Sequence, residues 1–169
     1  MPIIASDLKI RLSGGAANAN VNSSLGGAKS SVEVTDNTLH NIFDIVDGTE
    51  SAAGDIEYRG VYLHNGHGTL TAQNVRVYIS SPTTSSADEW DIALAGEGLN
   101  GTMETIATEA NAPAGETFSR PSTYATGLNM GNIPAGQHYG LWLRRTVNAG
   151  AGAIDNNSIT INYDCDTAA

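Results

Sequence analysis

Tyr139-Gly140-Leu141-Trp142-Leu143-Arg144-Arg145-Thr146-Val147 is the most telling stretch of this chain for its architecture. Tyr139, Leu141 and Leu143 alternate with Gly140 and Trp142. A period of two sends successive side chains to opposite faces of a sheet, so this run reads as a half-buried strand. The same alternation recurs on both sides of it. Leu8, Ile10 and Leu12 alternate with Lys9 and Arg11; Val32 and Val34 flank Glu33; Val75, Val77 and Ile79 alternate with Arg76 and Tyr78. Trp90, Ile92 and Leu94, and then Ile159, Ile161 and Tyr163, repeat the pattern. These runs are rich in β-branched and aromatic residues, which suit a pleated surface.

Turn chemistry separates the runs. Asn65-Gly66, Ser80-Ser81-Pro82, Asn100-Gly101, Pro113-Ala114-Gly115, Pro134-Ala135-Gly136 and Asn148-Ala149-Gly150 supply residues that tolerate positive φ or preset a turn. Asn65-Gly66, between runs 56–64 and 69–79, predicts a hairpin. Crossover helices of a parallel sheet are missing, since no helical pattern exceeds ~12 residues. Over 38–46, after Thr35-Asp36-Asn37, two readings are open: a short helix, preferred because Leu39, Ile42, Phe43 and Val46 share a helical face, or an irregular loop with two short strand fragments. The fold class expected is all-β: an antiparallel β-sandwich or jelly roll of about eight strands with an extended N-terminal arm.

Residues 13–31 make that arm. They hold one charge, Lys29, and two large apolar residues, Val21 and Leu25. Such a segment does not bury enough surface to offset its ordering entropy, so it is expected to stay flexible or to order against a partner. The organisation expected is residues 1–31 as first strand and arm, and 32–169 as the sandwich, one globular domain in all.

Composition narrows the function classes. The chain has 169 residues, with 18 acidic against 8 basic side chains and a formal charge of −10. That balance argues against a nucleic-acid partner, which needs clustered Lys and Arg. No apolar run approaches the ~20 residues of a membrane span. Cys165 is the only cysteine, so there is no disulfide framework, and the flanking Asp164 and Asp166 disfavour its thiolate. The N-terminus has no basic residue before a signal-type apolar core, so cytoplasmic synthesis is expected. Leu, Ile, Val and Phe supply 34 residues, one fifth of the chain, which predicts a thin core.

No pattern carries catalysis or a cofactor. Asp36, Asp44, Asp47, Glu50, Asp55 and Glu57 lack the spacing of a calcium loop and read as a solvated acidic face. His64-Asn65-Gly66-His67 lacks a full zinc ligand set and reads as a polar turn. There is no nucleophile elbow and no phosphate loop. Neither metal nor cofactor is expected. In the strand around Trp142, Arg144 and Arg145 fall on opposite faces. With bases so scarce, Arg59, Arg76, Arg144 and Arg145 are candidate partner-interface anchors, joined by Val21 and Leu25 of the arm.

Three stretches carry a resemblance. They are Ser24-Leu25-Gly26-Gly27-Ala28 leading to Thr38-Leu39-His40-Asn41-Ile42-Phe43-Asp44; Glu50-Ser51-Ala52-Ala53-Gly54-Asp55-Ile56-Glu57-Tyr58-Arg59; and Asn132-Ile133-Pro134-Ala135-Gly136-Gln137 through Leu141-Trp142-Leu143-Arg144-Arg145-Thr146-Val147. Together they resemble small structural proteins of tailed bacteriophages, over residues 6 to 163. In size and strand pattern the chain is similar to capsid decoration, or cement, proteins. The resemblance implies a non-enzymatic virion component on the capsid exterior, with the major capsid protein as partner and a homo-oligomer, a trimer at local threefold positions. It implies no catalytic residues. Two other functions are compatible with the residues: a tail or baseplate component, and a carbohydrate-binding module using Trp90, Trp142 and the acids from Asp44 to Glu57.

Overall fold

The computed structural model describes residues 2–153 and 157–167. Among these described residues nine strands form three antiparallel sheets. In chain order they are β1 (Leu8–Leu12), β2 (Gly26–Gly27), β3 (Asp55–Asn65), β4 (Ala72–Ser81), β5 (Asp88–Leu99), β6 (Met103–Thr105), β7 (Leu128–Ile133), β8 (His138–Val147) and β9 (Thr160–Thr167). The four-stranded sheet runs β1-β3-β8-β5, the three-stranded sheet β7-β4-β9, and β2 pairs with β6. The chain is an all-β sandwich.

The two larger sheets face each other. Val61, Leu63, Ile92, Leu141 and Leu143 pack against Val75, Val77, Ile79, Met130 and Ile133, all nearly or wholly buried. Period-two placement therefore puts the scarce branched residues on the inner faces, as the alternation predicts. A second core covers the outer face of the four-stranded sheet. Tyr58, Tyr62, Ala93 and Trp142 pack there under Met103, Ile106, Leu25 and Phe118. Strands β3 and β8 are thus buried on both faces, not one. Gly140 is required by this second layer, because a Cβ at that position would lie 2.7 Å from Ala95 Cβ and Met103 Cγ.

Three local expectations are corrected. Residues 38–46 form turns and bends, and the helix is α1 (Gly48–Ala53). Asn37 (φ 55) and His40 (φ 57) sit in the left-handed region, which breaks a right-handed helix before it starts. The true N-cap is Asp47, whose carboxylate accepts from Thr49 N and Glu50 N, while Glu50 reaches back to Asp47 N. Second, Asn65-Gly66 is no hairpin turn, since β3 and β4 belong to different sheets. The Asn65 amide donates to Leu70 O and Ile133 O, both at 2.9 Å, and pulls the chain across to the other sheet.

The third correction concerns residues 13–31, which are ordered against their own domain. Ser13, Ser24 and Ser30 are almost fully buried. Gly60 N donates to Ser24 O, Ile106 N to Leu25 O, and Gly26 N to Ser13 Oγ. Asn18 Nδ2 and Ser30 Oγ satisfy further carbonyls within the loop. Hydrogen bonding from short polar side chains replaces the apolar burial the segment lacks. The Val32–Val34 alternation appears as a single antiparallel bridge, Arg11 to Glu33, that covers the free edge of β1.

Candidate functional site

Cross-strand register places Glu57 of β3, Arg145 of β8 and Trp90 of β5 in one row across the inner face. The row lies at one end of the sandwich, beyond the aliphatic rows. Arg145 Nε donates to Glu57 Oε2 at 2.5 Å, and a second guanidinium nitrogen pairs with the same carboxylate. The remaining terminal nitrogen donates to Asp44 O at 2.7 Å, which ties the loop 35–47 to the sheet. Arg145 also lies 5.0 Å from the Phe43 ring centroid, and Arg59 lies 5.3 Å from the same ring. Trp90 meets Phe43 edge-on at 4.6 Å. Two guanidiniums thus share one aromatic ring, an arrangement stabilised by the ring quadrupole in a desolvated setting.

Burial governs the electrostatics. Glu57 is 1 % exposed and Arg145 5 %. Burial pushes the Glu57 carboxyl up to about 7, against the opposing pull of Arg145. Arg59 is fully buried, pairs with Glu109 and donates to Asn22 Oδ1 at 3.2 Å.

Beside this row the sheets leave a cavity of about 1100 Å³. Val34, Phe43, Trp90, Leu143, Ile159 and Ile161 contribute apolar lining, and Asp36, Asp44, Asp88, Arg145, Asn162 and Asp164 contribute polar lining. Leu39 and Ile45 of the 35–47 loop border it and are 67 % and 68 % exposed.

The six interface candidates separate into different places. Arg59 and Arg145 converge on Phe43 and are interior clamps, which corrects their reading as surface anchors. The reason is their partner acids: Glu57 meets Arg145 in the interior, and the half-exposed Glu109 meets Arg59 from the surface. Arg144 lies on the opposite face, as alternation predicts, pairs with Asp91 at 2.8 Å and covers Phe118. Arg76 donates to Gly127 O at 3.0 Å and lies over Tyr124 on the other sheet. Leu25 packs in the outer core, and Val21 opens a 3₁₀ turn, half-buried. Sequence reasoning missed Phe43, Asp44, Glu57 and Glu109 as partners, because their pairing exists only once register and loop path are set.

Other expectations also meet the geometry here. Trp142 is fully buried and Trp90 is engaged by Phe43, so neither offers the exposed platform of the carbohydrate reading. Asp47 and Glu50 cap α1 from solvent-accessible positions, and Asp36, Asp44 and Asp55 also keep solvent contact, so most of the acidic run is the solvated face expected; Glu57 is the exception, buried against Arg145. His67 is a turn residue whose Nδ1 accepts from Thr69 N and Leu70 N. Among the described residues no three His, Cys, Asp or Glu side chains are arranged to hold a metal ion, and no helix is long and apolar enough to cross a membrane. Burial, then Asp166 and Asp164, raise the Cys165 thiol pKa.

Fold and site together define an all-β sandwich domain with a buried arginine–carboxylate clamp at the end of an open inter-sheet cleft. No protein-family model, no curated protein and no solved structure matches this chain.

Proposed function

We propose that this chain is a non-enzymatic structural subunit of a tailed-phage particle, binding the outer capsid shell as a decoration, or cement, protein. The resemblance read from the sequence supplies the class. The observation that carries the role is the open cleft between the sheets, bordered by exposed Leu39 and Ile45. Scattered single apolar residues need no explanation, but an open cleft of mixed apolar and polar lining beside two exposed apolar side chains offers a contact surface. Protein interiors close to crystal-like density, so a partner's apolar side chains entering this space complete the packing. Binding to the folded form then adds stability by mass action. The Arg145–Asp44 link fixes the rim loop before docking, which lowers the ordering cost of association. A formal charge of −10 keeps free subunits apart until assembly. Since residues 13–31 are seated on their own domain, docking falls to the 35–47 loop.

The test uses particles assembled without the protein, to which it is added back. The Leu39→Asp/Ile45→Asp double variant alters only exposed side chains, so it should fold like the parent and fail to occupy particles. Full occupancy by that variant refutes the docking surface. Immunogold on intact particles separates head from tail. Signal confined to tails overturns the decoration reading in favour of a tail or baseplate component.

A further inference from the structure

Eight side chains of this chain carry a standing positive charge. Five have a carboxylate beside them: Lys9 with Glu33, Arg59 with Glu109, Arg120 with Glu89 and Asp91, Arg144 with Asp91, and Arg145 with Glu57. Among the described residues Arg11, Lys29 and Arg76 form no ion pair, although Glu33 stands opposite Arg11 and Asp164 opposite Arg76 in register. Arg76 lies apart, over Tyr124. Arg11 and Lys29 lie together, on the outer face of the four-stranded sheet.

Register builds that place. Lys9 of β1, His64 of β3 and His138 of β8 form one cross-strand row, and Arg11 stands opposite Tyr62 in the next. Tyr62 belongs to the outer core, so the whole set faces outward from the sandwich. The Tyr62 hydroxyl donates to Gly27 O at 2.6 Å, which lays the segment carrying Lys29 over the same face. The His138 ring meets the Tyr62 ring edge-on at 4.9 Å. Arg11, Lys29, His64 and His138 are all half-buried.

The acids nearby do not balance them. Glu33 is taken by Lys9 at 2.7 Å, and Glu97 acts on the Tyr62 side. Arg11 donates through one terminal nitrogen to a neutral carbonyl, Ser31 O. Two donor-capable atoms, Arg11 Nε and His64 Nδ1, are buried without a hydrogen-bond partner. Burial and the neighbouring positive charges hold His64 down to about 4, and lower Lys29 and His138 as well. In a chain with more than twice as many acids as bases, four cationic or protonatable groups meet beside one carboxylate, Glu33, which Lys9 already pairs. Gathering like charges in a half-buried place costs free energy, which a bound anion offsets. The net negative charge does not oppose this strongly, because exposed charges beyond about one Debye length, ~10 Å, are screened.

The geometry points to a binding site for a small oxyanion, a phosphate or carboxylate group, held by the Arg11 guanidinium and the Lys29 ammonium with the His64 and His138 imidazoles beside them. Guanidinium and ammonium donors form charge-assisted hydrogen bonds to such oxygens. The anion also favours protonated imidazole, so binding raises both histidine pKa values. This site stands independently of any role in a phage particle.

The experiment titrates the full chain with inorganic phosphate, and separately with acetate, while imidazole nitrogen and proton shifts of His64 and His138 are followed by NMR. Saturable shifts and a raised His64 pKa are expected. Lys29→Gln should weaken binding by about tenfold, the worth of a single charge-assisted hydrogen bond, while Arg76→Gln leaves it unchanged. Phosphate binding well above acetate identifies a phosphate group; equal binding identifies a carboxylate, as on a partner's surface. Absence of a saturable shift in the parent overturns the site, whatever the variants do. So does an equal shift in a folded Lys29→Gln variant, which leaves an adventitious ion only.

Discussion

Arg145→Met tests the buried clamp most directly. Arg145 and Glu57 are 5 % and 1 % exposed, and the guanidinium meets the carboxylate through two nitrogens besides its bond to Asp44 O. Removing one partner of a buried pair strands the other, at a cost of about 3–5 kcal/mol. For a domain of this size each kcal/mol moves Tm by about 2–4 °C, so the variant should melt roughly 6–20 °C lower. Replacing both partners, as in Glu57→Leu/Arg145→Met, removes the stranded charge and the desolvation penalty together. That double variant should recover most of the stability. The loop 35–47 still lacks its tether to Asp44 in the double variant, so amide exchange there should stay fast although Tm returns. Cost in the single variant should also grow with pH, because the stranded Glu57 can escape by taking up a proton at low pH. Urea and thermal unfolding of the four proteins of the cycle, at pH 5 and pH 8, supply the numbers. The reasoning is refuted by a single variant within about 1 kcal/mol of the parent, or by a double variant as unstable as the single.

Three further outcomes follow from the same packing. Glu57 has a folded pKa of about 7 against an ordinary 4.5, so the native state binds the extra proton between those values; stability should fall by about 3 kcal/mol as pH rises from 4.5 to 7, and Glu57→Gln should flatten the urea-midpoint profile in that window. Gly26 has φ +89, and a Cβ there would lie 1.7 Å from the backbone oxygen of Glu104, so Gly26→Ala should part β2 from β6 and cost about 3 kcal/mol or more by urea denaturation. Deleting residues 1–31 removes Leu8 and Leu12, at about 1.5–3 kcal/mol of burial each, together with the packing of Leu25; calorimetry should show no cooperative transition, in contrast to a detachable arm.

Much of the sandwich was legible because period-two alternation is a local property. Val75, Val77, Ile79, Leu141 and Leu143 announce their faces without knowledge of their neighbours. The second core was harder to read. Trp142 and Tyr62 sit at positions that alternation assigns to the far face, and whether that face meets water or protein depends on Met103 and Ile106, some 40 residues away in sequence. The 38–46 region shows the converse. Its helical spacing is real, but two residues with positive φ, held by the loop path, overrule it.

Residue type and spacing along single strands were enough for the fold class, the turn-rich connectivity, the acidic balance and the opposite orientation of Arg144 and Arg145. Four other facts came from the assembled fold: which acid each arginine meets, that Arg59 and Arg145 are interior, that residues 13–31 belong to the domain, and that Arg11, Lys29, His64 and His138 share a face. These depend on which strands become neighbours and in what register. Long-range pairing fixes that, and no local pattern encodes it.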